Sequence, residues 1–216
     1  MKDTPRGEVA LRRVMRWGVL AGLMVTVLWL CIPVQQASAR RALSGTFAIA
    51  GGSAYVRSME VTLDSQVRGA TTMRFRRPDG SYTAWEPYAT KKTWTLSDGD
   101  GVKSVEAQYR GASAAKVVLV DVITLDTTGP VTTSDYDGVA RSCVPVTLLP
   151  VDTLCGVAGT WYRVDGRAWR TGTFATLHVQ LKRTGLGAGR HTFEYFSTDL
   201  LGNSGPVASE IVTLMY

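Results

Sequence analysis

The sequence predicts an all-β protein in which two similar antiparallel β-sandwiches follow one apolar N-terminal helix. Three observations predict it: an uncharged run at residues 17–34, apolar residues that alternate with polar ones from residue 44 onward, and a set of motifs that occurs twice in the same order. An antiparallel sheet with one face in water gives this alternation, whereas a parallel sheet covered on both faces gives continuous apolar runs.

Residues 1–39 have the layout of an export signal. Arg12, Arg13 and Arg16 precede the uncharged run 17–34, and the small residues Ala37-Ser38-Ala39 follow it. The run has 18 residues, which exceeds the core of a usual signal peptide and just reaches the length of a membrane-spanning helix. Two fates therefore stay open, cleavage after Ala39 or retention as an N-terminal membrane anchor. Either fate places the rest of the chain on the extracellular face, secreted or anchored.

Each predicted strand is a short alternating stretch between turns. The expected inward-facing sets are Val61 and Leu63; Met73 and Phe75; Trp94 and Leu96; Val105, Ala107 and Tyr109; Val144, Val146 and Leu148; Leu177, Val179 and Leu181; and Phe193 and Tyr195. The breaks between them hold turn residues, as in Pro78-Asp79-Gly80, Asp98-Gly99-Asp100-Gly101, Asp165-Gly166 and Gly202-Asn203. Short strands at this spacing are typical of antiparallel sandwiches.

The two halves repeat each other. Val61-Thr62-Leu63 returns as Val146-Thr147-Leu148, Met73-Arg74-Phe75 as Tyr162-Arg163-Val164, Trp85 as Trp169, and Val105-Glu106 as Phe193-Glu194. The order is kept, which indicates a duplication with small changes in the loops. We therefore predict two domains, residues 44–126 and 131–216, joined through the segment that ends in Gly129-Pro130.

These motifs resemble bacterial immunoglobulin-like repeats of large secreted and surface proteins. In the first half the resemblance lies in Trp85-Glu86-Pro87-Tyr88, Trp94-Thr95-Leu96 and the segment Leu125-Asp126-Thr127-Thr128-Gly129-Pro130. The second half is similar to a related module family named after a leptospiral outer-membrane protein, through Tyr162-Arg163-Val164-Asp165-Gly166 and the segment from Ser197 to Asn203. The resemblance implies tandem immunoglobulin-like sandwiches outside the cell with a structural or adhesive role.

The charge distribution argues against nucleic acid as a partner. The net charge is +6, but residues 1–39 carry five Lys or Arg against two acids, so the remainder has a net charge of only +3. A phosphate-binding surface needs a stronger and more concentrated positive field. The expected partner is an unidentified extracellular protein or polysaccharide, together with the membrane itself if residues 17–34 are retained.

Four aromatic residues are the candidate ligand contacts: Trp85, Tyr88, Trp161 and Trp169. An exposed indole or phenol ring offers a large flat face with one polar atom, which suits stacking on a sugar or anchoring a partner. The alternative is that these rings pack within or against the sandwiches. Trp161 is the clearest candidate for exposure, because Tyr162 and Val164 occupy the opposite side of the same predicted strand.

Asp199, Gly202 and Asn203 form a turn motif with two interpretations. The Asp199 and Asn203 side chains are either a pair of calcium ligands or an Asx-type turn closed by backbone N–H groups. The turn is favoured, since two oxygens fall far short of the six to eight that calcium takes. The loops that start at Asp98 and Asp135 also resemble calcium loops, but neither has the glutamate required at the twelfth position. No metal and no other cofactor is predicted.

Cys143 and Cys155 are the cysteines beyond the export segment, and a disulfide between them stays open. An oxidising compartment favours the bridge. Geometry opposes it if residues 143–149 and 158–164 are neighbouring antiparallel strands, because the two sulfurs then lie near opposite ends of the pair.

No catalytic motif is recognisable around either His178 or His191, so the chain is predicted not to be an enzyme. A small enzyme would require a pocket that gathers one of these histidines with two carboxylates. The predicted function is a non-enzymatic structural or adhesive module at the cell surface or in the medium. The alternative is a carbohydrate- or cell-wall-binding protein that uses exposed aromatic residues.

Overall fold

A computed structural model describes residues 42–112, 115–178, 180 and 185–216. Regular structure in these ranges is β-strand, apart from one short 3-10 turn at Ala50–Gly52. We find in them no helix with the length and apolarity needed to cross a membrane. The apolar run 17–34, for which a signal peptide or anchor is predicted, lies outside the described residues.

The first half forms two sheets. Its strands are β1 (Ser44–Ile49), β2 (Tyr55–Val56), β3 (Glu60–Arg68), β4 (Ala70–Phe75), β5 (Glu86–Pro87), β6 (Lys91–Thr95), β7 (Gly101–Gly111) and β8 (Lys116–Leu125). One sheet has the order β1-β3-β6 and the other has the order β2-β8-β7-β4-β5. The pairs are antiparallel except for the short contact between β2 and β8, which is parallel.

The second half also forms two sheets. Its strands are β9 (Val131–Ser134), β10 (Cys143–Val151), β11 (Val157–Val164), β12 (Arg170–Thr171), β13 (Phe174–His178), β14 (Gly189–Asp199) and β15 (Ala208–Leu214). The smaller sheet has the order β13-β10-β9, and the larger has the order β12-β11-β14-β15. The all-β sandwich architecture predicted from the alternation is therefore present.

Alternation along the strands builds two separate apolar clusters. In β3, Val61 and Leu63 point inward and meet Phe75 of β4, whose side chain is fully buried. In the second half, Val146 of β10 meets Phe193 of β14 in the same way. Each cluster draws on both sheets of its own half, so every sheet covers its apolar face with its partner and leaves the other face to solvent.

Buried hydroxyl groups cross each cluster. In the first half, the Tyr109 hydroxyl of β7 and the Ser65 hydroxyl of β3 lie 2.7 Å apart, and burial raises the pKa of Tyr109 to about 12. In the second half, the Ser197 hydroxyl of β14 lies 2.8 Å from that of Thr132 in β9 and 2.8 Å from that of Thr160 in β11. These bonds satisfy polar atoms that water cannot reach. The bonds of Ser65 with Tyr109 and of Thr132 with Ser197 connect opposing sheets, whereas Thr160 and Ser197 are neighbours within one sheet.

Two predicted alignments were wrong. Tyr109 pairs with Met73, and Tyr195 pairs with Tyr162. Because Met73 and Tyr162 are equivalent in the repeat, the residue equivalent to Glu194 is Gln108 and not the predicted Glu106. In addition, the strand after β10 in the chain is not its neighbour in the sheet, because β10 pairs with β9 and β13. Val179 and Leu181, predicted to extend the inward-facing set of Leu177, lie outside the described residues.

Candidate functional site

Acidic side chains are buried where the two halves meet. Asp126 directly follows β8 and Asp199 ends β14, and each is 1% exposed. Both lie close to Cys155, which is buried in the loop between β10 and β11. A carboxylate removed from water needs hydrogen-bond donors or a cation to offset the loss of hydration. The contacts of these two aspartates therefore show how the junction is held.

Asp126 contacts three segments of the chain. Its backbone N–H donates to the Val56 carbonyl at 2.9 Å, which ties it to the first half. Its Oδ2 accepts a hydrogen bond from the backbone N–H of Cys155 at 3.0 Å, and its carbonyl oxygen accepts one from Asn203 Nδ2 at 2.8 Å. One buried residue thus joins the end of β8 to two loops of the second half.

The Asp199 carboxylate closes the turn that precedes β15. Its Oδ1 accepts from the backbone N–H groups of Leu201 at 2.9 Å and Asn203 at 2.7 Å, while Oδ2 accepts from Asn203 Nδ2 at 2.6 Å. Gly202 has a φ of +82°, which glycine adopts without strain. Burial acts to raise the pKa of Asp199, but the hydrogen bonds from Asn203, with those from Cys155 and Leu201, outweigh burial and lower that pKa below its ordinary value.

The linker between the halves is fixed by its neighbours. Asp100 accepts hydrogen bonds from the N–H and hydroxyl of Thr127 at 2.9 and 2.8 Å and from the hydroxyl of Thr128 at 2.6 Å. Gly129 then passes so close to the β14–β15 loop that a Cβ there would lie 2.3 Å from the carbonyl carbon of Ser204. Only glycine permits this approach of two backbones.

One group of side chains in the described part of the chain has the spacing of a metal site. Oxygen or sulfur atoms of Asp126, Asp152, Cys155 and Asp199 all lie within 4.8 Å of one another. Asp152 Oδ1, like the other carboxylates, accepts from backbone N–H groups, those of Leu154 and Gly156 at 3.0 and 2.8 Å. The loops thus already supply donors to these carboxylates, and a metal is not needed to satisfy them.

The orientation of the Asn203 amide bears on the calcium interpretation. Its nitrogen faces both Asp199 Oδ2 and the Asp126 carbonyl, which are acceptors, so the amide must donate here. A calcium ligand would have to present the amide oxygen instead. The side chains of Asp98 and Asp135 likewise accept backbone N–H groups, from Gly99 at 2.8 Å and Thr147 at 2.6 Å.

The two predicted ligand contacts of the first half, Tyr88 and Trp85, both contact other residues of the protein. The Tyr88 hydroxyl donates to the Ser65 carbonyl at 3.0 Å and accepts from the Val67 N–H at 3.0 Å, which anchors it beside the first cluster. Trp85 is half-buried, with the guanidinium of Arg110 at 3.9 Å and that of Arg74 at 4.7 Å from its ring centroid. Cation–π contacts therefore hold Trp85 on the solvent side of β4 and β7.

Trp161 and Trp169 meet on the solvent-facing side of the larger second sheet. The Trp161 ring stacks on Phe196 with centroids 5.3 Å apart, and Trp169 contacts the same phenyl edge-on at 4.9 Å. The Arg163 guanidinium lies 4.5 Å from the Trp169 centroid and forms two hydrogen bonds, at 2.7 and 2.9 Å, with Glu194. Trp161, Phe196 and Trp169 are all half-buried, and we call these three rings the aromatic face.

The sequence prediction omitted Phe196 and Arg163 from this face. Phe196 follows Tyr195 in β14, and alternation alone places it on the solvent side, which was the available signal. Its contact with Trp169 joins residues far apart in the chain and depends on the pairing of β11 with β14.

Cys143 and Cys155 are both free in the structure. Cys143 is exposed at the start of β10, whereas Cys155 is buried beyond the end of that strand. The pairing of strands assumed in the sequence prediction was wrong, but the length of β10 still separates the two thiols. Burial is the main cause that raises the pKa of the Cys155 thiol to about 11, and the neighbouring Asp126 carboxylate is the second cause.

The histidines do not gather two carboxylates in the described part of the chain. His191 Nδ1 lies 2.8 Å from Asp165 Oδ2, and its Nε2 lies 2.9 Å from the Gly187 carbonyl oxygen. His178 lies 3.0 Å from the Gln180 amide. Among the described residues, therefore, neither histidine has two carboxylates as hydrogen-bond partners.

No protein-family model and no curated protein matches the chain. Among solved structures, the fibronectin(III)-like modules of Clostridium thermocellum CbhA are 11% identical with a TM-score of 0.38, over 78% of this chain and 94% of that one. A structure from a study of promiscuous carbohydrate-binding modules of the β-sandwich superfamily is 12% identical with a TM-score of 0.35. The match covers 73% of this chain and 57% of that one. Murine CEACAM1b gives 8% identity and a TM-score of 0.34, over 80% and 99%. These likenesses show no family and no function for this chain.

Replacing Asn203 tests the contacts at the junction. Asn203→Ala removes the donor that reaches both Asp126 and Asp199, and a buried acceptor left without its donor costs about 1–3 kcal/mol. We expect a loss of that size in the free energy of unfolding, measured by urea denaturation. Ser209→Ala, an exposed change in β15 with no described side-chain bond, is the control. Equal stabilities for the two variants would contradict the structural role of Asn203.

The His191–Asp165 pair makes stability depend on pH. Burial acts to lower the pKa of His191, but the Asp165 carboxylate and the Gly187 carbonyl raise it above 6.5. Burial acts to raise the pKa of Asp165, but His191 and the Thr192 N–H lower it below 3.8. The histidine contribution is therefore full below pH 6.5 and lost as the pH rises through the folded pKa. The aspartate contribution is full above pH 3.8 and lost as the pH falls through the folded value.

We expect His191→Gln to remove that part of the pH dependence. Relative to this variant, the wild type should lose unfolding free energy as the pH rises above 6.5 and through the raised pKa of His191. Thermal melts at stepped pH values measure the difference. His178→Gln should keep the wild-type profile, and a wild-type profile in His191→Gln would show that the pair contributes nothing.

Proposed function

We propose that this protein is a non-enzymatic, extracellular structural or adhesive element made of two immunoglobulin-like modules, residues 44–126 and 131–216. It holds the two modules in a fixed relation and presents their loops and solvent-facing sheets to a partner. The export layout of residues 1–39 supports action outside the cytoplasm, whether the protein is secreted or anchored through residues 17–34. The partner is an extracellular protein or polysaccharide.

The observation that carries this proposal is the burial of Asp126 at the junction. A flexible tether is polar and hydrated and makes few contacts with the domains it joins. Here Asp126, the residue that directly follows β8, is 1% exposed and hydrogen-bonded to Cys155 and Asn203 of the second half. Such a junction resists bending because any opening would expose or orphan these groups.

A second contact lies nearer the surface. Arg57, in the segment between β2 and β3, donates from Nη1 to the Leu201 carbonyl at 3.2 Å. It reaches the turn that Asp199 closes, so the first module supports the same loop that binds Asp126. A fixed spacing between modules serves an element that holds a surface at a set distance or transmits force between partners.

The distance between the modules tests this proposal directly. Spin labels on noncanonical residues at exposed Thr93 and Ser209 report one position in each module. We expect a narrow distance distribution by pulsed electron paramagnetic resonance in the full-length protein. The double variant Arg57→Ala/Asn203→Ala should at least double its width, since it removes donors that cross the junction.

Arg68→Ala, an exposed change in β3 with no described partner, is the matched control and should leave the distribution unchanged. A broad distribution in the wild type would refute the fixed junction. So would a double variant that keeps the native fold by circular dichroism and the native width.

The aromatic face favours a second candidate function, binding of a carbohydrate or cell-wall polysaccharide. Three half-buried rings, Trp161, Phe196 and Trp169, are contiguous on one solvent-facing sheet. Flat aromatic surfaces pack against the apolar faces of sugar rings, and the neighbouring Arg163 and Glu194 offer polar groups at the edge. Trp85 and Tyr88 take no part in this face.

Binding to a panel of wall polysaccharides tests the second candidate. We expect at least one polymer to bind the full-length protein and Trp161→Ala to weaken that binding about tenfold, the order expected from losing a stacked aromatic hot spot. Tyr216→Ala, which removes an exposed ring outside the face, should bind as the wild type does. If no polymer binds the wild type, or if both variants lose the same amount of affinity, the aromatic face does not bind a wall polysaccharide.

A further inference from the structure

A cleft opens at one side of the second half, between strands that belong to different sheets. One wall is the end of β11 and the turn that follows it, with Val164 and Arg167, and the opposite wall is β13, with Leu177 and His178. Its volume is about 280 Å³, close to the lower end of the range for small-molecule sites. It shares no residue with the junction around Asp126.

The floor of the cleft is apolar. Ala175 and Leu177 are buried members of the second cluster, and Tyr162, Val164 and Leu186 pack against that cluster from the side. The cleft therefore reaches the hydrophobic interior between the two sheets. A ligand with a flat apolar part can displace water from this floor, which favours binding.

The walls are cationic. Three arginines, Arg163, Arg167 and Arg170, line the cleft, and no aspartate or glutamate does so among the described residues. Arg163 is neutralised by its two hydrogen bonds with Glu194. Arg167 donates to the Gly185 carbonyl at 3.1 Å and interacts electrostatically with the Asp165 carboxylate. Within the described ranges, the Arg170 guanidinium has no ion-pair partner.

We propose that this cleft binds a small organic anion in which a carboxylate is carried by a ring with an apolar face. An arginine guanidinium presents parallel N–H donors that match a carboxylate, and a cleft lined by one sign of charge attracts the opposite sign. The ring lies on the floor formed by Tyr162 and Leu177, and the carboxylate meets Arg170 at the rim. Thr176 and Gln180 provide hydrogen-bonding groups for substituents of the ring.

This inference goes beyond the proposed function, because a fixed spacing between modules needs no cleft. Two sources supply the ligand chemistry, a uronic acid of a polysaccharide or an aromatic carboxylic acid. Calorimetric titration of the full-length protein with D-glucuronate and with benzoate separates them. Tighter binding of one identifies the source, and either result supports the site. D-glucose, benzyl alcohol and acetate lack the charge or the ring and should not bind.

Two variants test the location. Arg170→Gln should raise the dissociation constant of the bound acid about tenfold, the loss expected for a hydrogen bond to a charged group. Arg190→Gln, an equally exposed change in β14 outside the cleft, should leave it unchanged. Thr176→Trp should fill the cleft and abolish binding, whereas Ser209→Trp on β15 should not. Circular dichroism establishes that all four variants are folded.

Several results would overturn the site. They are no binding of either ring carboxylate to the wild type, equal binding of the neutral counterparts, or equal binding of acetate, which would mean an adventitious anion only. Equal weakening by Arg170→Gln and Arg190→Gln, or unchanged binding in a folded Thr176→Trp variant, would place any binding elsewhere. None of these results bears on the distance measurement across the junction, so the two proposals fail independently.

Discussion

In the described part of the chain, each sheet packs an apolar face against another sheet of the same half. The alternating side chains of β3 and β10 point valine and leucine inward, Val61 and Leu63 in β3 and Val146 and Leu148 in β10, and each set closes over a long central strand, β7 or β14. The buried hydroxyl of Ser65 or Ser197 then connects the opposing sheets. The solvent-facing sides, the loops and the junction are all placed by this covering of apolar faces.

At the junction between the halves, the buried group is a carboxylate, and hydrogen-bond donors offset the cost of its burial. Asp126 is buried where the chain passes from one half to the other. The Cys155 N–H donates to its carboxylate, and the Asn203 amide donates to its backbone carbonyl. The close approach at Gly129 brings the linker against the β14–β15 loop. A burial cost of this kind is offset only while the contacts persist, so the same groups that make the junction possible also restrict its motion.

The solvent-facing sides carry one arrangement twice. Arg74 lies over Trp85 in the first half and Arg163 over Trp169 in the second, and each arginine is also hydrogen-bonded to β7 or β14. The sequence repeat supplies both pairs. In the second half, Phe196 also joins Trp161 and Trp169 into a continuous surface, and a cleft lined by arginines opens beside the arginine-bearing strand.

For β3, β10 and β14, the sequence by itself determined which side of the strand is buried, because alternation is a local property of the chain. Val61, Leu63 and Phe193 were predicted to point inward and are buried. It also identified Trp161 and Trp169 as surface candidates, without their partner Phe196. Only the tertiary structure decided that β10 pairs with β13, that Asp126 is buried beside Cys155, and that Arg170 and His178 line one cleft. Those contacts join residues distant in sequence, and their geometry is set by which sheets cover one another.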